Sequence, residues 1–293
     1  SAYAAAGLSS SHECVEAGEA SEYLKNGIVL MLRQGSAAPN LLDLLPAVTP
    51  ASESWCMFAT DDRNPHDLLV QGSINHMARL ALEAGQPLAR VLNMACLNAA
   101  RHYGLRDRGA IAPGFCADLA LYPDLTSWRP ELVIKNGKVA LHHGQEYWTC
   151  SRADDSALRG SVRIQEISPA KLALPAKGAT ARVIGVLPGQ LLTEELHRAV
   201  PVRDGCFVAD AATGVAKLSV WERYTGSGRV GVGLVENLGL KRGAIGSTVG
   251  HDSHHLIIAG FTDEDMLAIA EHLAAIGGGL ALADGGRVIG SLP

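Results

Sequence analysis

The spacing of apolar residues changes character along the chain. In the first third, short continuous apolar runs alternate with stretches of helical periodicity, the order that a parallel α/β sheet or barrel requires. Residues 7–10 lead into a short strand. Residues 17–26 predict a helix stopped by Gly27, and 28–32 form an apolar run suited to a strand buried on both faces. A helix starts over 41–45, and a third apolar strand over 55–60 runs into Asp61, Asp62, Arg63, Asn64 and Pro65, which form a loop. Helices follow over 74–84 and 88–103. Residues 109–121 change to Gly/Pro turns with short strands, and 133–140 predict a hairpin turning at Asn136-Gly137.

The stretch 150–161 is polar and without periodicity, and reads as a linker and domain boundary. Beyond it come strand-like runs over 181–186, 206–209 and 216–221, and then a Gly-rich segment leading to Gly250-His251-Asp252-Ser253-His254-His255. Thr262 caps a helix with Met266, Ile269, Ala270, Leu273 and Ile276 at helical spacing, and Gly277 stops it. The tail over 280–289 reads as a hairpin around Asp284-Gly285-Gly286. The first residues read as the end of a helix running into a strand, so the natural protein is expected to begin earlier.

A hydrophobic content of 47% in 293 residues is enough for one large or two ordinary domains with buried cores. The net charge of -5, with 19% charged residues and no basic block, offers no footprint for nucleic acid or an anionic membrane. No apolar run is long enough to span a bilayer. A small molecule is therefore the expected partner. The six cysteines, Cys14, Cys56, Cys96, Cys116, Cys150 and Cys206, lack C-x-x-C spacing. They predict free, inert core thiols and a cytoplasmic setting.

Polar residues gather where the first three strands end: Ser11-His12-Glu13, Arg33-Gln34-Gly35-Ser36 and Asp61-Asp62-Arg63. In βα barrels, catalytic side chains project from those ends. A histidine leaving one strand and an aspartate leaving another supply the imidazole and carboxylate that a hydrolytic divalent-metal site uses. A carboxylate beside the attacking water can take its proton and pass it to a leaving amine. Asp61 suits that double role. From spacing alone the plainer readings stay open: a hydrogen-bonded structural histidine, and a solvated acidic loop or helix cap.

Three segments carry a resemblance to a known family. They are Cys56-Met57-Phe58-Ala59-Thr60-Asp61-Asp62-Arg63-Asn64-Pro65-His66-Asp67, Gly7-Leu8-Ser9-Ser10-Ser11-His12-Glu13 with Arg33-Gln34-Gly35-Ser36, and His251-Asp252-Ser253-His254-His255. All three closely resemble bacterial adenine deaminases, the last resembling the hallmark of that family's C-terminal domain. Gly109-Ala110-Ile111-Ala112-Pro113-Gly114 with Ala117-Asp118-Leu119 is similar to amidohydrolases more widely.

The resemblance implies an α/β fold: part of a TIM-type (β/α) barrel over 1–105, a small β-sandwich segment over 106–150, and a separate α+β C-terminal domain over 151–293. It implies hydrolysis of adenine to hypoxanthine and ammonia, with His12 and Asp61 as metal ligands and Asp61 and Glu13 as catalytic carboxylates. Asp62, Arg33 and Ser36 would orient ligands or substrate. His251, Asp252 and His254 would either form a structural hydrogen-bond network or reach over a barrel mouth. The implied cofactor is one or two divalent ions, Mn2+ first and Fe2+ or Zn2+ next. The implied assembly is a homodimer or larger.

The sequence departs from the family pattern at Ser11, where Asp is expected, and at Gln34, where Glu is expected. The His-x-His pair that amidohydrolases carry on the first barrel strand does not follow any strand here. The chain alone is therefore expected to be inactive. The alternatives are an amidohydrolase acting on another heterocycle or cyclic amide, and a non-catalytic relative.

Overall fold

The computed structural model describes residues 2–293, which divide into two compact units, 2–151 and 152–293. The first unit opens with α1 (Ala2–Ala5) and β1 (Ser10–Ser11). It continues through α2 (Ala17–Lys25), β2 (Val29–Arg33), α3 (Leu41–Leu44) and β3 (Cys56–Ala59). Strands β1, β2 and β3 pair in parallel in that order, Ser11 opposite Leu30 and Arg33 opposite Ala59. Parallel neighbours need crossovers, and α2 and α3 supply them.

Leu30, Leu32, Cys56 and Phe58 are buried with Ala20, Leu41, Leu44 and Met77. Their strands are covered on both faces, which is why they read as unbroken apolar runs. Among the described residues this sheet has three strands and does not close into a barrel.

Helix α4 (Pro65–Val70) follows a short loop, with Pro65 in its first turn and the Asn64 side chain accepting from the Asp67 amide at 2.9 Å. The sequence reading had no helix here, because its one turn carries three exposed apolar residues, Leu68, Leu69 and Val70, and no buried face. Then come α5 (Ile74–Glu83), α6 (Leu88–Leu92) and α7 (Asn98–His102). The last two are joined by a π-helical segment, Asn93–Leu97, inside what reads as one helix. Buried Asn98 donates to the carbonyls of Glu53 and Cys56 at 2.8 and 2.7 Å, tying this helical run to β3. An antiparallel sheet of β4 (Leu119–Leu121), β5 (Leu132–Lys135), β6 (Lys138–His142) and β7 (Gln145–Glu146) completes the unit. Its β5–β6 turn is the expected Asn136-Gly137, both at positive φ.

The second unit is built on an eight-stranded sheet from β8 (Thr180–Val186), β9 (Thr193–Ala199), β12 (Ala216–Trp221), β13 (Val230–Glu236), β14 (Ala244–Ser247), β15 (Leu256–Gly260), β16 (Leu280–Asp284) and β17 (Arg287–Leu292). The order is β17-β16-β14-β15-β12-β13-β8-β9, with β13 and β8 parallel and the other pairs antiparallel. A small ribbon of β10 (Val202–Arg203) and β11 (Cys206–Phe207) stands apart. Strands β9, β13, β14 and β15 were not read from the sequence.

Helix α8 (Asp263–Ile276) lays Met266, Ile269, Ala270 and Leu273 on Ala244, Leu256, Ile258, Ala281 and Ala283 of the sheet. Ile276, which the spacing places on the same face, is exposed instead, because Gly277 at φ +84° turns the chain away. At the other end Thr262 accepts from the Asp265 amide, and the buried Asp265 carboxylate accepts from the Thr262 hydroxyl at 2.6 Å and the Gly286 amide at 2.7 Å. One cap therefore also fixes the β16–β17 turn.

The cysteines are free, but they are not uniformly core residues. Cys14 and Cys56 are buried, and burial pushes both thiols up to about 12. Cys96 and Cys150 are exposed. No described helix is long and apolar enough to cross a membrane.

Replacing Thr262 with Ala removes the cap of α8 and one of the two bonds that hold the Asp265 carboxylate. Urea unfolding of this unit is expected to show a loss of about 1 kcal/mol.

Candidate functional site

The three parallel strands end side by side, and the side chains that leave them meet around one guanidinium. Arg33, the last residue of β2, is 1% exposed. Its Nη1 lies 3.1 Å from Glu13 Oε2 and 3.3 Å from Asp61 Oδ2, and its Nη2 donates to Asn40 Oδ1 at 3.3 Å. The partners come from the end of β1, the end of β3 and the residue preceding α3. A buried cation requires such company, because leaving it unpaired costs several kcal/mol.

His12 completes the cluster. Its Nε2 is 3.2 Å from Glu13 Oε1 and 4.0 Å from Asp61 Oδ1. Asp61 thus divides its carboxylate, one oxygen toward Arg33 and the other toward His12. Its backbone lies in the left-handed region at φ +53°, which Asp tolerates better than most residues. Of the residues singled out from the sequence, His12, Glu13, Arg33 and Asp61 are brought together here.

Ser36 and Asp62 lie in the adjoining loops and tie them to each other. The Ser36 amide donates to the Asp62 carbonyl at 2.9 Å, and the Ser36 hydroxyl pairs with Asp67 and accepts from the Asn64 amide at 3.0 Å. The Ser36 hydroxyl is therefore engaged in joining the loop after β2 to the loop after β3. Gly35 permits this approach, since a Cβ there would stand 3.2 Å from the carbonyl oxygens of both Thr60 and Asp62.

Asn40 went unread in the sequence, and Arg63 was read only as part of a polar strand end. Asn40 looks like a helix cap, yet it makes no capping bond and serves Arg33. Arg63 reaches from its loop to the Gln34 carbonyl, the Asp67 carbonyl and Gln71 Oε1, the last at 2.8 Å. The signal for Asn40 was its place beside an apolar helix start near a charged strand end.

In the second unit the segment 250–255 connects β14 to β15 and is held by the turn after β12. Arg223 Nε donates to the His254 carbonyl, its Nη1 to Ser161 Oγ at 3.0 Å, and the Tyr224 hydroxyl to the Ser253 carbonyl at 2.8 Å. The Tyr224 ring sits 5.5 Å from that of His255. His251 pairs with Asp252, both exposed, and its ring is 6.2 Å from that of His254.

The same turn is stiffened by Glu222. Its carboxylate accepts from the Thr225 hydroxyl at 2.7 Å, the Thr225 and Tyr224 amides at 3.0 and 2.7 Å, and the Ser227 hydroxyl at 2.9 Å. The Thr225 hydroxyl, followed by its amide, holds the Glu222 carboxyl far below the usual carboxylate range.

Two family models match the chain: the amidohydrolase family over residues 16–140, and the adenine deaminase C-terminal domain over residues 190–293. Adenine deaminase 2 of Carboxydothermus hydrogenoformans is 52% identical over 292 residues, covering 100% of this chain and 51% of that protein. Adenine deaminase of Nitratidesulfovibrio vulgaris (strain Hildenborough) is 42% identical over 293 residues, covering 99% and 50%. The chain belongs to the adenine deaminase family.

It spans about half the length of the curated adenine deaminases it matches. Among solved structures, the β-aspartyl dipeptidase of Fervidobacterium islandicum AW-1 aligns at 22% identity and a TM-score of 0.37, over 46% of this chain and 38% of that one. The strand-end cluster of His12, Glu13, Arg33 and Asp61 lies on or beside the segment that matches the amidohydrolase model. The 250–255 segment lies within the adenine deaminase C-terminal domain.

Two outcomes follow from this geometry. Arg33→Met strands the Asp61 carboxylate without its buried counter-charge, and urea unfolding is expected to register a loss of about 3 kcal/mol. Glu222 contributes stability that is fully present above its ordinary value near 4.5 and is lost as pH falls through its depressed native value. Unfolding midpoints measured between about pH 5 and pH 3 should therefore drop less steeply in Glu222→Gln than in the unsubstituted protein.

Proposed function

We propose that the protein carries out the metal-dependent hydrolytic deamination of adenine, giving hypoxanthine and ammonia. The observation that carries this reading is the convergence of His12, Glu13 and Asp61 on Arg33 at neighbouring parallel strand ends, in a chain homologous along its whole length to proteins named adenine deaminase.

The donor set fits a divalent ion. An imidazole nitrogen and a carboxylate oxygen stand 4.0 Å apart, and Arg33 occupies only the other carboxylate oxygen. In this reading His12 Nε2 and Asp61 Oδ1 hold the metal, Mn2+ first and Fe2+ or Zn2+ as substitutes, as one or two ions. When bound, the metal supplies Lewis acidity toward water.

The chain's own residues do the remainder. Arg33 fixes the directions of both carboxylates, so that neither has to reorganise during the reaction. Asp61 accepts a proton from the attacking water and returns it to the amine leaving C6 of the purine. Glu13, anchored on Arg33 through Oε2, faces the substrate. Asp62 and Ser36 hold the loops that border the cluster.

The accompanying organisation is barrel strands and helices over 1–105, a sandwich segment over 106–150 and the C-terminal domain over 151–293. The setting is a cytoplasmic homodimer or larger assembly.

The Asp61→Asn substitution, made in the protein as its gene encodes it, should leave the circular dichroism spectrum unchanged. It should reduce kcat for adenine by roughly 100-fold to 10,000-fold. A variant that still turns over adenine at near the original rate would remove the proton-carrying role from Asp61.

A further inference from the structure

The antiparallel sheet of the first unit carries a second group of metal-ligating side chains, on different elements from the strand-end cluster. In a regular strand two consecutive residues face opposite sides of the sheet. His142 ends β6, and His143 and Gly144 form the two-residue turn into β7, with His142 paired to Gln145. Both turn residues have positive φ, +48° and +80°, the signature of the tight hairpin turn that matches strand twist. The alternation is therefore broken at His143. Its ring lies beside that of His142, centroids 4.2 Å apart and planes tilted by 37°.

Glu131 is fixed next to them by the sheet itself. The His143 amide donates to the Glu131 carbonyl at 2.9 Å, and the Glu131 amide donates to the Leu121 carbonyl at 2.8 Å. Its Oε1 stands 3.7 Å from His143 Nε2. One ligand atom from each of Glu131, His142 and His143 lies within 4.8 Å of the others.

Ligand atoms bound to one tetrahedral ion at about 2.1 Å stand about 3.4 Å apart, so closing this triad takes side-chain movements of up to about 1.5 Å. Both imidazoles and the carboxylate retain open rotamer space, since none of the three is buried. Two imidazoles with one carboxylate suit zinc, nickel and copper far better than magnesium or calcium, which prefer all-oxygen cages.

We propose that Glu131, His142 and His143 form a surface binding site for a late first-row divalent cation such as Zn2+, completed by water and independent of the strand-end cluster. An ion held there would cross-brace β5 against the β6–β7 turn. The site does not depend on the proposed deamination.

The test is calorimetric titration of the chelator-treated protein with Zn2+ alone, paired with histidine ring signals in NMR during addition of substoichiometric Cu2+. The His12→Ala protein is expected to keep one equivalent that His142→Ala and His143→Ala each lose, with Glu131→Gln binding it more weakly. In the unsubstituted protein, Cu2+ should broaden the His142 and His143 ring signals before those of exposed His66 and His197. Titrations that superimpose for the unsubstituted and His143→Ala proteins, or Cu2+ broadening that passes over His142 and His143, would overturn the proposal. The NMR arm reads the folded, unsubstituted chain and so does not depend on any variant folding.

Discussion

A guanidinium that is almost wholly removed from water is the constraint around which the first unit is arranged. Arg33 cannot be buried without opposite charge and hydrogen-bond acceptors close by. The three groups that meet it come from places far apart in sequence: Glu13, Asn40 and Asp61. Pairing that charge therefore fixes the ends of three strands relative to one another. The same arrangement leaves one Asp61 oxygen facing His12 while the other faces Arg33. The backbone agrees with this arrangement, since Gly35 lets the loops after β2 and β3 pack main chain against main chain.

The second unit solves a different problem. Its eight-stranded sheet is covered by the apolar face of α8, and its polar clusters sit at the edges of that packing. Asp265 joins a helix start to a hairpin turn, and Arg223 with Tyr224 holds the 250–255 segment through its carbonyls. The grip is on main-chain oxygens, while the rings of that segment pack on one another and on Tyr224.

The parts legible in the sequence were those where burial imposes a period. Strands β2 and β3 are buried on both faces and read as apolar runs, while α8 reads from its apolar spacing and its Thr262 and Gly277 ends. Strand β9 was missed because it lies at the sheet edge, with Thr193, Glu194, Glu195, His197 and Arg198 exposed and no alternation to detect. Strand β13 was missed because Gly231 and Gly233 disguise a strand that pairs on both sides. In the strand-end cluster, Arg33 and Asp61 stood out as polar residues closing apolar runs, and His12 and Glu13 as polar residues at the end of a short strand. The loop-tying use of Ser36 and the service of Asn40 to Arg33 depend on contacts between loops, which no local pattern encodes.

The most direct measurement of the central claim, that these strand ends form a metal-dependent deaminating site, is adenine absorbance followed in the gene-encoded protein before chelation, after it, and after Mn2+ is restored. The account predicts conversion to hypoxanthine that stops on chelation and returns with the metal. Turnover indifferent to metal, or a folded and Mn2+-loaded protein that leaves adenine untouched, would contradict it.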